Sequence, residues 1–600
     1  MFGEDRKNIP SVDNFKLKNT ILDNLSRDQL YKIKVAIDKN KNSLSIRIIL
    51  LGIILLFTVL NSFIFNSEYS LILGSIGIKN VSLFYIVVNF LLLIISIFIS
   101  IKVFISGFTS LIKLSINSDS IISFTSLVCV VQIIWSYLYA NKCSGKSDIH
   151  TYALLAILGL LLNLVGKLYQ VLRVRNNLKF CMSKGKKYTV KCCEDNFYIN
   201  SLLSHINLKK PLMAYKCEIE SIKNFFKNSY ERDYSESKSR EFFIFSISGA
   251  LISSLIYFIF NRDVFKSFTF FTISLCMLIP MNITIVNNMP IYTWGKQMLR
   301  KGIAIINCFA IKQFCNVNVL EICDKDIYEQ GSVTLCGVKT FCGVDLNDVL
   351  LNAVSLNACF DSLISDMLLN VIKEQPEILP KVTNPIYDAN CGISGWIKGK
   401  KVLFGNKTLM DKYGVYVKKD IDENKYKNKG IKLYYCSIGG NLSAIFLVNY
   451  NANPSVSRAL KKLEHSGINI VLHSNDVNIT SESVEEDFEL LSKCVTIVRK
   501  DNYNSKCIEQ DEQNQDDNPL VYISEKFYSI SELITSCSRL NWNVALCFSI
   551  QVVSIILGFF SVIMVSCYLD VFQIKETKLI IYILIWSLSI MLVAGLRKRK

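Results

Sequence analysis

The sequence lacks the cysteine spacings that mark common metal and redox sites. It contains 20 cysteines, yet no two form a C-x-x-C pattern, so the signatures of zinc fingers and thioredoxin-like proteins are absent. The adjacent pair Cys192 and Cys193 is more typical of structural cysteines than of a chelate. No internal repeat is present. The one segment of strongly biased composition is EQDEQNQDDNP, residues 509–519, which predicts a polar surface loop.

Acidic residues are in the minority, and apolar residues dominate. The chain has 67 Lys and Arg against 50 Asp and Glu, 51% hydrophobic residues and a mean hydropathy of +0.32. Because runs of about 20 apolar residues cross a bilayer, this composition predicts a polytopic α-helical membrane protein. Eight candidate spans are Ile48–Phe65, Leu83–Ile101, Ile121–Tyr139, Tyr152–Val165, Phe242–Phe260, Phe268–Pro290, Val544–Tyr568 and Leu579–Leu596.

The distribution of Lys and Arg predicts the orientation. They concentrate in the segment before Ser45, in the loop 171–241 and in the tail 597–600, and positively charged loops are retained in the cytoplasm. We therefore expect a multi-pass protein of the plasma membrane with both termini and both large loops cytoplasmic. The net charge of +17 then reflects this bias and contact with anionic lipid, and no nucleic-acid partner is expected.

The large loop after the sixth span has the pattern of an α/β domain. The runs VNVLEI, NIVLHS and CVTIV are β-branched and predict strands of a mostly parallel sheet. Residues 454–476 predict a helix, a turn at Gly467 and a strand that delivers Asp476 to the carboxyl edge of the sheet, where open α/β folds bind ligands. Between residues 333 and 450 shorter strands of antiparallel character predict an inserted module.

With this order of spans and loops, and with CGISGWIKGKKVLFGNKTLMDKYGV at 391–415, the chain resembles the heavy-metal (type IB) P-type ATPases. The resemblance implies eight helices, an actuator domain, and a haloacid-dehalogenase-like phosphorylation domain that carries an inserted α+β nucleotide domain. The expected parts are an N-terminal leader (1–44), helices one to four (45–170), a reduced actuator-like loop (171–241), helices five and six (242–291), a phosphorylation-like domain (292–332 and 451–541), a nucleotide-domain-like insert (333–450), and helices seven and eight with a basic tail (542–600).

The metal-binding motif of the family is altered. In the family, the sixth helix carries Cys-Pro-Cys, whose thiolates bind a soft metal such as copper(I) or zinc. Here Pro280 is flanked by Ile279 and Met281, and Cys276 lies one turn earlier. The resemblance makes Cys276, Pro280 and Met281 the candidate metal site, while the residues themselves favour a proline kink among apolar side chains.

The phosphorylation motif D-K-T-G-T-L-T is also altered. Counting from Gly302 and from Gly331 places the family's aspartate at Cys323, with Asp324 one residue later. A slip of one residue moves a side chain to the other face of a strand. The family's T-G-D-N corresponds to Ser474–Val477 and contains Asp476, but neither G-D-G-x-N-D nor T-G-E-S is present. Cys323, Asp324 and Asp476 are thus the candidate catalytic residues.

The nucleotide motif keeps its glycines but loses other parts. The resemblance makes Gly392, Gly395, Gly405 and Asn406 the candidate nucleotide-binding residues, although the first glycine of the G-x-G loop is Asn390. No histidine is found where the family contacts adenine. No cofactor is therefore assigned, and ATP with Mg²⁺ would be required only by an active pump.

Two functions follow from these patterns. An autophosphorylating pump needs its nucleophile, magnesium carboxylate and dephosphorylating glutamate together, and the sequence alters all three. The leading interpretation is a non-transporting pseudo-pump that acts by binding or scaffolding an unidentified membrane protein in the lipid bilayer. The alternative is a divergent heavy-metal cation-transporting ATPase that uses Asp324 with Met281 or Cys276.

Overall fold

The structure is a computed structural model of the chain. It describes residues 27–66, 81–142, 150–203, 208–219, 225–230, 234–341, 343–360, 362–372, 378–388, 390–417, 430–491, 493–499, 520–568 and 575–595. Most of the predicted leader, the basic tail 597–600 and the acidic segment 509–519 lie outside these ranges.

The first part of the chain is helical. The second predicted span is bent by 79° at Ser100, and its second half is a separate helix that continues beyond the predicted end at Ile101. The helices are α1 (Arg27–Asn66), α2 (Val81–Ile99), α3 (Ile101–Ile112), α4 (Ser118–Lys142) and α5 (Ala153–Cys181).

The loop after the fourth span forms a hairpin and two short helices. Asp195 caps the first of these helices, because its carboxylate accepts the backbone N–H groups of Phe197 and Tyr198. The elements are β1 (Tyr188–Cys193), α6 (Asn196–Leu202), β2 (Met213–Glu218) and α7 (Phe225–Ser229).

The sixth span is broken at Pro280. Ile279 has extended backbone angles, because the residue before a proline is disfavoured in the helical region and proline itself donates no backbone hydrogen bond. The predicted proline kink is thus a full interruption between two helices. The elements are α8 (Tyr234–Asn261), α9 (Val264–Leu278) and α10 (Ile283–Arg300).

The remainder of the chain forms two sheets, their helices and the last two spans. The elements are β3 (Ile303–Ile305), α11 (Phe309–Phe314), β4 (Val319–Cys323), α12 (Asp324–Ile327), β5 (Val333–Thr340), α13 (Leu346–Asn357), α14 (Leu363–Val371), β6 (Val382–Asp388), β7 (Gly392–Ile397), β8 (Lys400–Gly405), α15 (Lys407–Lys412), β9 (Ile431–Ile438), β10 (Asn441–Tyr450), α16 (Pro454–His465), β11 (Asn469–His473), α17 (Ser481–Asp487), β12 (Val495–Val498), β13 (Val521–Ile523), α18 (Phe527–Tyr568) and α19 (Glu576–Gly595).

The described residues contain seven helices long and apolar enough to cross a membrane, and an eighth span results if the bent pair α2–α3 is counted as one. This agrees with the predicted polytopic helical architecture. The spans α5, α9 and α10 are the most enclosed: every residue of the apolar window in the sixth span is buried. The broken helix therefore lies at the centre of the bundle.

The three predicted strands are confirmed and pair in parallel, but the sheet that contains them is mixed and not mostly parallel, because the pairs β2–β1, β1–β13 and β13–β3 are antiparallel. β4, β11 and β12 pair in parallel, with His473 opposite Cys323. The predicted helix before β11 is confirmed as α16, which Asn453 caps, Pro454 begins and Gly467 follows with a φ of +70°. Its buried face consists of Val456, Ala459, Leu460 and Leu463, as its periodicity predicts.

The seven-stranded sheet has the order β12-β11-β4-β2-β1-β13-β3. The hairpin β1–β2 therefore comes from the loop 171–241 but lies inside the sheet of the phosphorylation-like domain. β2 runs parallel to β4, with Met213 opposite Val319, and β1 runs antiparallel to β13. That residues 171–241 are a reduced actuator-like loop stays a prediction; the strand pairing adds that part of this loop belongs to the seven-stranded sheet.

The insert is a second, antiparallel sheet. Its six strands have the order β5-β10-β9-β8-β7-β6, as the shorter strands between 333 and 450 predict. Helices α13 and α14 cover one face, and one large hydrophobic cluster contains buried side chains of both sheets. A second large cluster fills the helical bundle.

Candidate functional site

The carboxyl edge of the parallel strands brings Asp324 and Ser474 together. Because Cys323 and His473 are paired, the residues that follow them leave the sheet side by side. The Ser474 hydroxyl donates to Oδ2 of Asp324 at 2.8 Å, and both residues are buried. Cys323, the sequence-based candidate for the family's aspartate position, has an exposed side chain. The residue that faces the edge is therefore Asp324.

Electrostatics differ between the two candidate nucleophiles. Burial raises the pKa of the Asp324 carboxyl to about 6, although the Ser474 hydroxyl opposes the shift. Cys323 is exposed as a residue, but neighbouring atoms crowd its sulfur. This desolvation, followed by the negative charges of Asp326 and Asp324, raises the pKa of the Cys323 thiol to about 12. The thiolate, which is the nucleophilic form of cysteine, is therefore scarce at neutral pH.

Asp326 is engaged by the hairpin. Its carboxylate accepts the backbone N–H of Cys323 at 3.1 Å and lies 2.8 Å from the Lys216 ammonium of β2. Lys216 also donates to the carbonyl of Glu525 at 2.9 Å. A carboxylate thus lies two residues after Asp324, where the resembling family has a threonine, and it would repel an incoming phosphate.

Asp476 lies at the same edge, and its carboxylate already accepts several hydrogen bonds. The hydroxyls of Tyr434 and Tyr450 both donate to its carboxylate, and the backbone N–H of Asn478 donates to it at 3.0 Å. Arg499 donates to the backbone carbonyls of Ser474, Asp476 and Ile479 and fixes this turn.

The tyrosines come from the insert and the arginine from the end of β12. Sequence reasoning missed Tyr434 and Arg499 as parts of this site. Each tyrosine hydroxyl donates to a different oxygen of Asp476, so a metal ion at this carboxylate would compete with hydrogen bonds that the folded chain already makes.

No group of three His, Cys, Asp or Glu side chains with metal-ligand geometry occurs among the described residues. The carboxylate oxygens at the sheet edge do not form a magnesium site in their present arrangement. Mg²⁺ prefers several oxygen ligands in octahedral geometry, whereas the oxygens of Asp476 accept tyrosine hydroxyls and Asp326 is paired with Lys216. We therefore derive no phosphoryl-transfer step through magnesium.

The candidate nucleotide-binding glycines mainly allow close packing against neighbouring strands and side chains. Gly392 and Gly405 are opposite each other on β7 and β8. A Cβ on Gly392 would lie 2.4 Å from the carbonyl oxygen of Phe404, and one on Gly405 would lie 2.2 Å from that of Cys391. Gly395 is similarly covered by Leu356.

Asn406 is a helix cap. Its side chain accepts the backbone N–H of Leu409 at 3.1 Å and donates to the carbonyl of Asn390 at 2.9 Å. The four candidate nucleotide-binding residues are therefore close together, because all belong to the β7–β8 hairpin or directly follow it. Their contacts show that they maintain the backbone geometry of that hairpin.

A cavity of about 380 Å³ opens beside this hairpin. It has the size of a small-molecule site and combines a carboxylate with two cations. Lys412 pairs with Asp388 on its wall, and Tyr387 donates to the carbonyl of Asn475 at 3.0 Å, which ties the wall to the sheet edge. Its polar lining includes Tyr387, Asp388, Asn390, Ser394, Lys412 and Arg499.

The candidate metal residues in the membrane lie around the helix break. Cys276 is buried one turn before Pro280, and its sulfur lies 3.8 Å from the sulfur of Cys129 on α4. Met281 is also buried, on the side that packs against Gly159 of α5. Sequence reasoning missed Cys129, because nothing in the sequence links the third span to the sixth. Two facing thiols can hold a soft ion, but the contact is equally that of packed buried cysteines.

The chain is similar to several known proteins. No protein-family model matches the chain. The silver exporting P-type ATPase of Salmonella typhimurium is 22% identical over 188 residues, which are 30% of this chain and 22% of that protein. The copper-exporting P-type ATPase of Legionella pneumophila is 24% identical over 190 residues, 31% of this chain and 25% of that protein. The crystal structure of a zinc-transporting PIB-type ATPase in an E2.Pi state covers 91% of this chain and 99% of that chain, with 10% identity and a TM-score of 0.46.

The fold is that of a multi-pass membrane protein whose α/β domain carries an antiparallel insert. About a third of the chain is similar in sequence to the heavy-metal P-type ATPases. The matched segments span a quarter or less of the two curated relatives, so the activity, substrate and partners of this protein are matters of proposal.

Proposed function

We propose that the protein is a non-transporting pseudo-pump of the plasma membrane, with its large domains in the cytoplasm, that acts by binding or scaffolding another membrane protein. The observation that carries this proposal is the position of the hairpin β1–β2. In the heavy-metal P-type ATPases, which the chain resembles, the loop after the fourth helix brings a glutamate to the aspartyl phosphate. Here that loop is hydrogen-bonded on both sides, to β4 and to β13.

The bonds that hold the hairpin are distributed along it. Besides the strand pairing, the Thr189 hydroxyl donates to the carbonyl of Val521 at 3.0 Å, and the Asn318 side chain accepts the backbone N–H of Leu212 at 2.9 Å. Met213 and Tyr215 pack into a buried cluster with Val319 and Val471. Releasing the loop as a mobile domain would break these contacts together, which is unfavourable for a repeated transport cycle.

The sheet edge supports the same proposal. A cycle of aspartyl phosphorylation needs room for phosphate and a magnesium ion beside the nucleophile. Around Asp324 the two further carboxylates are already engaged, Asp326 by Lys216 and Asp476 by Tyr434 and Tyr450. The scaffold is thus stabilised by internal partners where the family would bind ligands.

The alternative function is a divergent heavy-metal cation-transporting ATPase. One observation favours it: Asp324 is followed by a lysine and faces Ser474 at the ligand edge, as a nucleophilic aspartate would. Lys325, however, lies 2.9 Å from Asp366 of the insert, and any transported ion would have to use Cys276, Met281 or the newly found Cys129.

Phosphorylation separates the two functions. The full chain in nanodiscs is incubated with γ-labelled ATP, Mg²⁺ and a soft metal ion, and the acid-stable, hydroxylamine-labile label is measured. The pseudo-pump predicts no label above that of Asp324→Asn. A label that disappears in Asp324→Asn and persists in Cys323→Ala would establish the alternative.

Two further measurements test the binding role. Calorimetric titration with ATP tests whether the cavity beside the β7–β8 hairpin holds a nucleotide, and Lys412→Ala is the matched variant because Lys412 lines that cavity. Crosslinking and pull-down from native membranes should recover a stable membrane-protein partner. A chain that never co-purifies with another protein would contradict the scaffolding role, whatever the result with ATP.

A further inference from the structure

A buried carboxylate lies at the end of the helical bundle that is remote from the two sheets. Glu576 is the first residue of α19, and its side chain is fully buried. In the sequence it lies in the loop before the predicted eighth span, which is the usual position of a solvent-exposed acid. Ionisable side chains inside a bundle that crosses a membrane are costly and usually functional, and none of the groups discussed above uses this one.

The two oxygens of Glu576 have different surroundings. The hydroxyls of Ser62 at the end of α1 and of Tyr85 on α2 both donate to Oε1. Oε2 is buried and has no hydrogen-bond partner among the described residues. Oε1 thus accepts hydrogen bonds from two neighbouring helices, whereas Oε2 is buried without a hydrogen bond from the described residues.

A chain of hydrogen bonds leads to the held oxygen. Asn61 donates to Asn89 at 3.0 Å, Asn89 to Thr151 at 2.7 Å, and Thr151 to Tyr85 at 3.3 Å. Tyr85 in turn donates to Glu576. Every donor in this series points towards the carboxyl group, and the series joins α1, α2, the start of α5 and α19.

Glu576 has no cationic partner in the part of the chain that the structure describes. No Lys, Arg or His there forms an ion pair with it, and the nearby Lys575 and Lys578 are exposed. The titratable groups that face it are Tyr85 of α2 and Tyr152 beside α5, whereas α1 offers only the Ser62 hydroxyl. Another buried acid behaves differently: Asp119 lies 2.6 Å from the Lys167 ammonium and accepts Asn163 at 2.8 Å.

We propose that Glu576 is a proton-binding site of the membrane bundle, with the proton carried on Oε2. A buried carboxylate without a cationic partner is neutralised in practice by taking up a proton, and only Oε2 is free of donors. The protonated group keeps its two hydrogen bonds at Oε1 and so links the first, second, fourth and eighth spans without a buried charge. Loss of the proton would leave a charge that must be compensated by water or another cation. This inference does not depend on the proposed function.

Infrared spectroscopy of the full chain in nanodiscs tests the proposal. The C=O stretching band of a protonated carboxyl group, identified by its shift in deuterated water, should be present at neutral pH and absent in Glu576→Gln. The matched control Asp119→Asn should keep the band, because Asp119 is paired with the Lys167 ammonium and Glu576 has no such partner among the described residues. Tyr85→Phe removes a donor to the C=O oxygen and should shift the band without abolishing it, which is informative even if Glu576→Gln fails to fold.

Two results would overturn the proposal. The first is the lack of a protonated-carboxyl band in the wild-type chain, or a band that survives in Glu576→Gln. The second is a band that disappears when sodium or potassium is added at constant pH, since an alkali cation would then be the resident ligand of Oε2.

Discussion

The ammonium group of Lys216 lies 2.8 Å from the carboxylate of Asp326, and both side chains are largely buried. This ion pair joins the loop after the fourth span to the turn that follows the candidate nucleophile. It is one part of a continuous contact, because Lys216 also packs over the ring of Tyr188 at 4.3 Å. Part of the loop 171–241 is thus built into the seven-stranded sheet.

We predict that Lys216→Met destabilises the seven-stranded sheet. Removing one partner of a buried ion pair leaves an uncompensated charge and costs about 3 kcal/mol. The unfolding temperature should fall, and hydrogen exchange of β2 should accelerate. Lys186→Met is the control, since its bridge to Glu218 is exposed and such bridges contribute little. Equal effects of the two variants would contradict the central role of the Lys216–Asp326 pair.

Asp324 should make stability depend on pH. Its pKa is about 6 in the folded chain and about 4 when unfolded, so the folded state binds the proton more tightly. The stability contributed by protonated Asp324 is complete below pH about 4 and is lost as the pH rises to about 6. Asp324→Asn should therefore stabilise the chain at pH 7 by up to about 3 kcal/mol.

Thermal unfolding between pH 4 and 8 measures this effect. The difference between Asp324→Asn and the wild type should grow from pH 4 to pH 6 and then level off. Asp411→Asn, at an exposed position of α15, should leave the profile unchanged. A constant difference at all pH values would show that the carboxyl group does not titrate in this range.

Cys323 should be a slow nucleophile although it is exposed. A pKa of about 12 lowers the thiolate fraction at neutral pH on the order of a thousandfold relative to an ordinary cysteine. Alkylation of Cys323, followed by mass spectrometry, should be much slower than that of Cys336, which is exposed on β5. Comparable rates would restore Cys323 as a candidate nucleophile.

Gly392→Ala should lower the unfolding temperature of the insert, because the glycine has a structural role and not a ligand-binding one. The added Cβ would approach the carbonyl oxygen of Phe404 to 2.4 Å, and the φ of +140° is itself unfavourable for alanine. Gly337→Ala is the control, because its Cβ would contact only the Leu447 side chain at an ordinary 3.7 Å. A Gly392→Ala variant that keeps its unfolding temperature but loses ATP affinity would instead support a nucleotide role for this glycine.

Much of the fold could be predicted from local patterns. The spans, the parallel strands, α16 with its cap and apolar face, and the interruption at Pro280 all follow from hydropathy, periodicity and backbone chemistry that act over a few residues. At the site, the sequence indicated Asp324 and Asp476, but the choice between Cys323 and Asp324 required the register of β4 against β11.

Other parts depend on residues that are distant in the chain. The hydroxyls on Asp476 come from the insert, the sulfur facing Cys276 comes from another span, and the groups on Glu576 come from the first and second spans. No local pattern reports such contacts.

The sequence by itself determined that the chain crosses the membrane several times and carries an α/β domain with an insert, because hydropathy and side-chain periodicity are local properties. Only the tertiary structure decided that the loop 171–241 pairs with β4 and β13, and that Glu576 is buried. The physical reason is that strand pairing and burial depend on which distant segments meet, and the short strands β1 and β2 carry no signal that selects their partners.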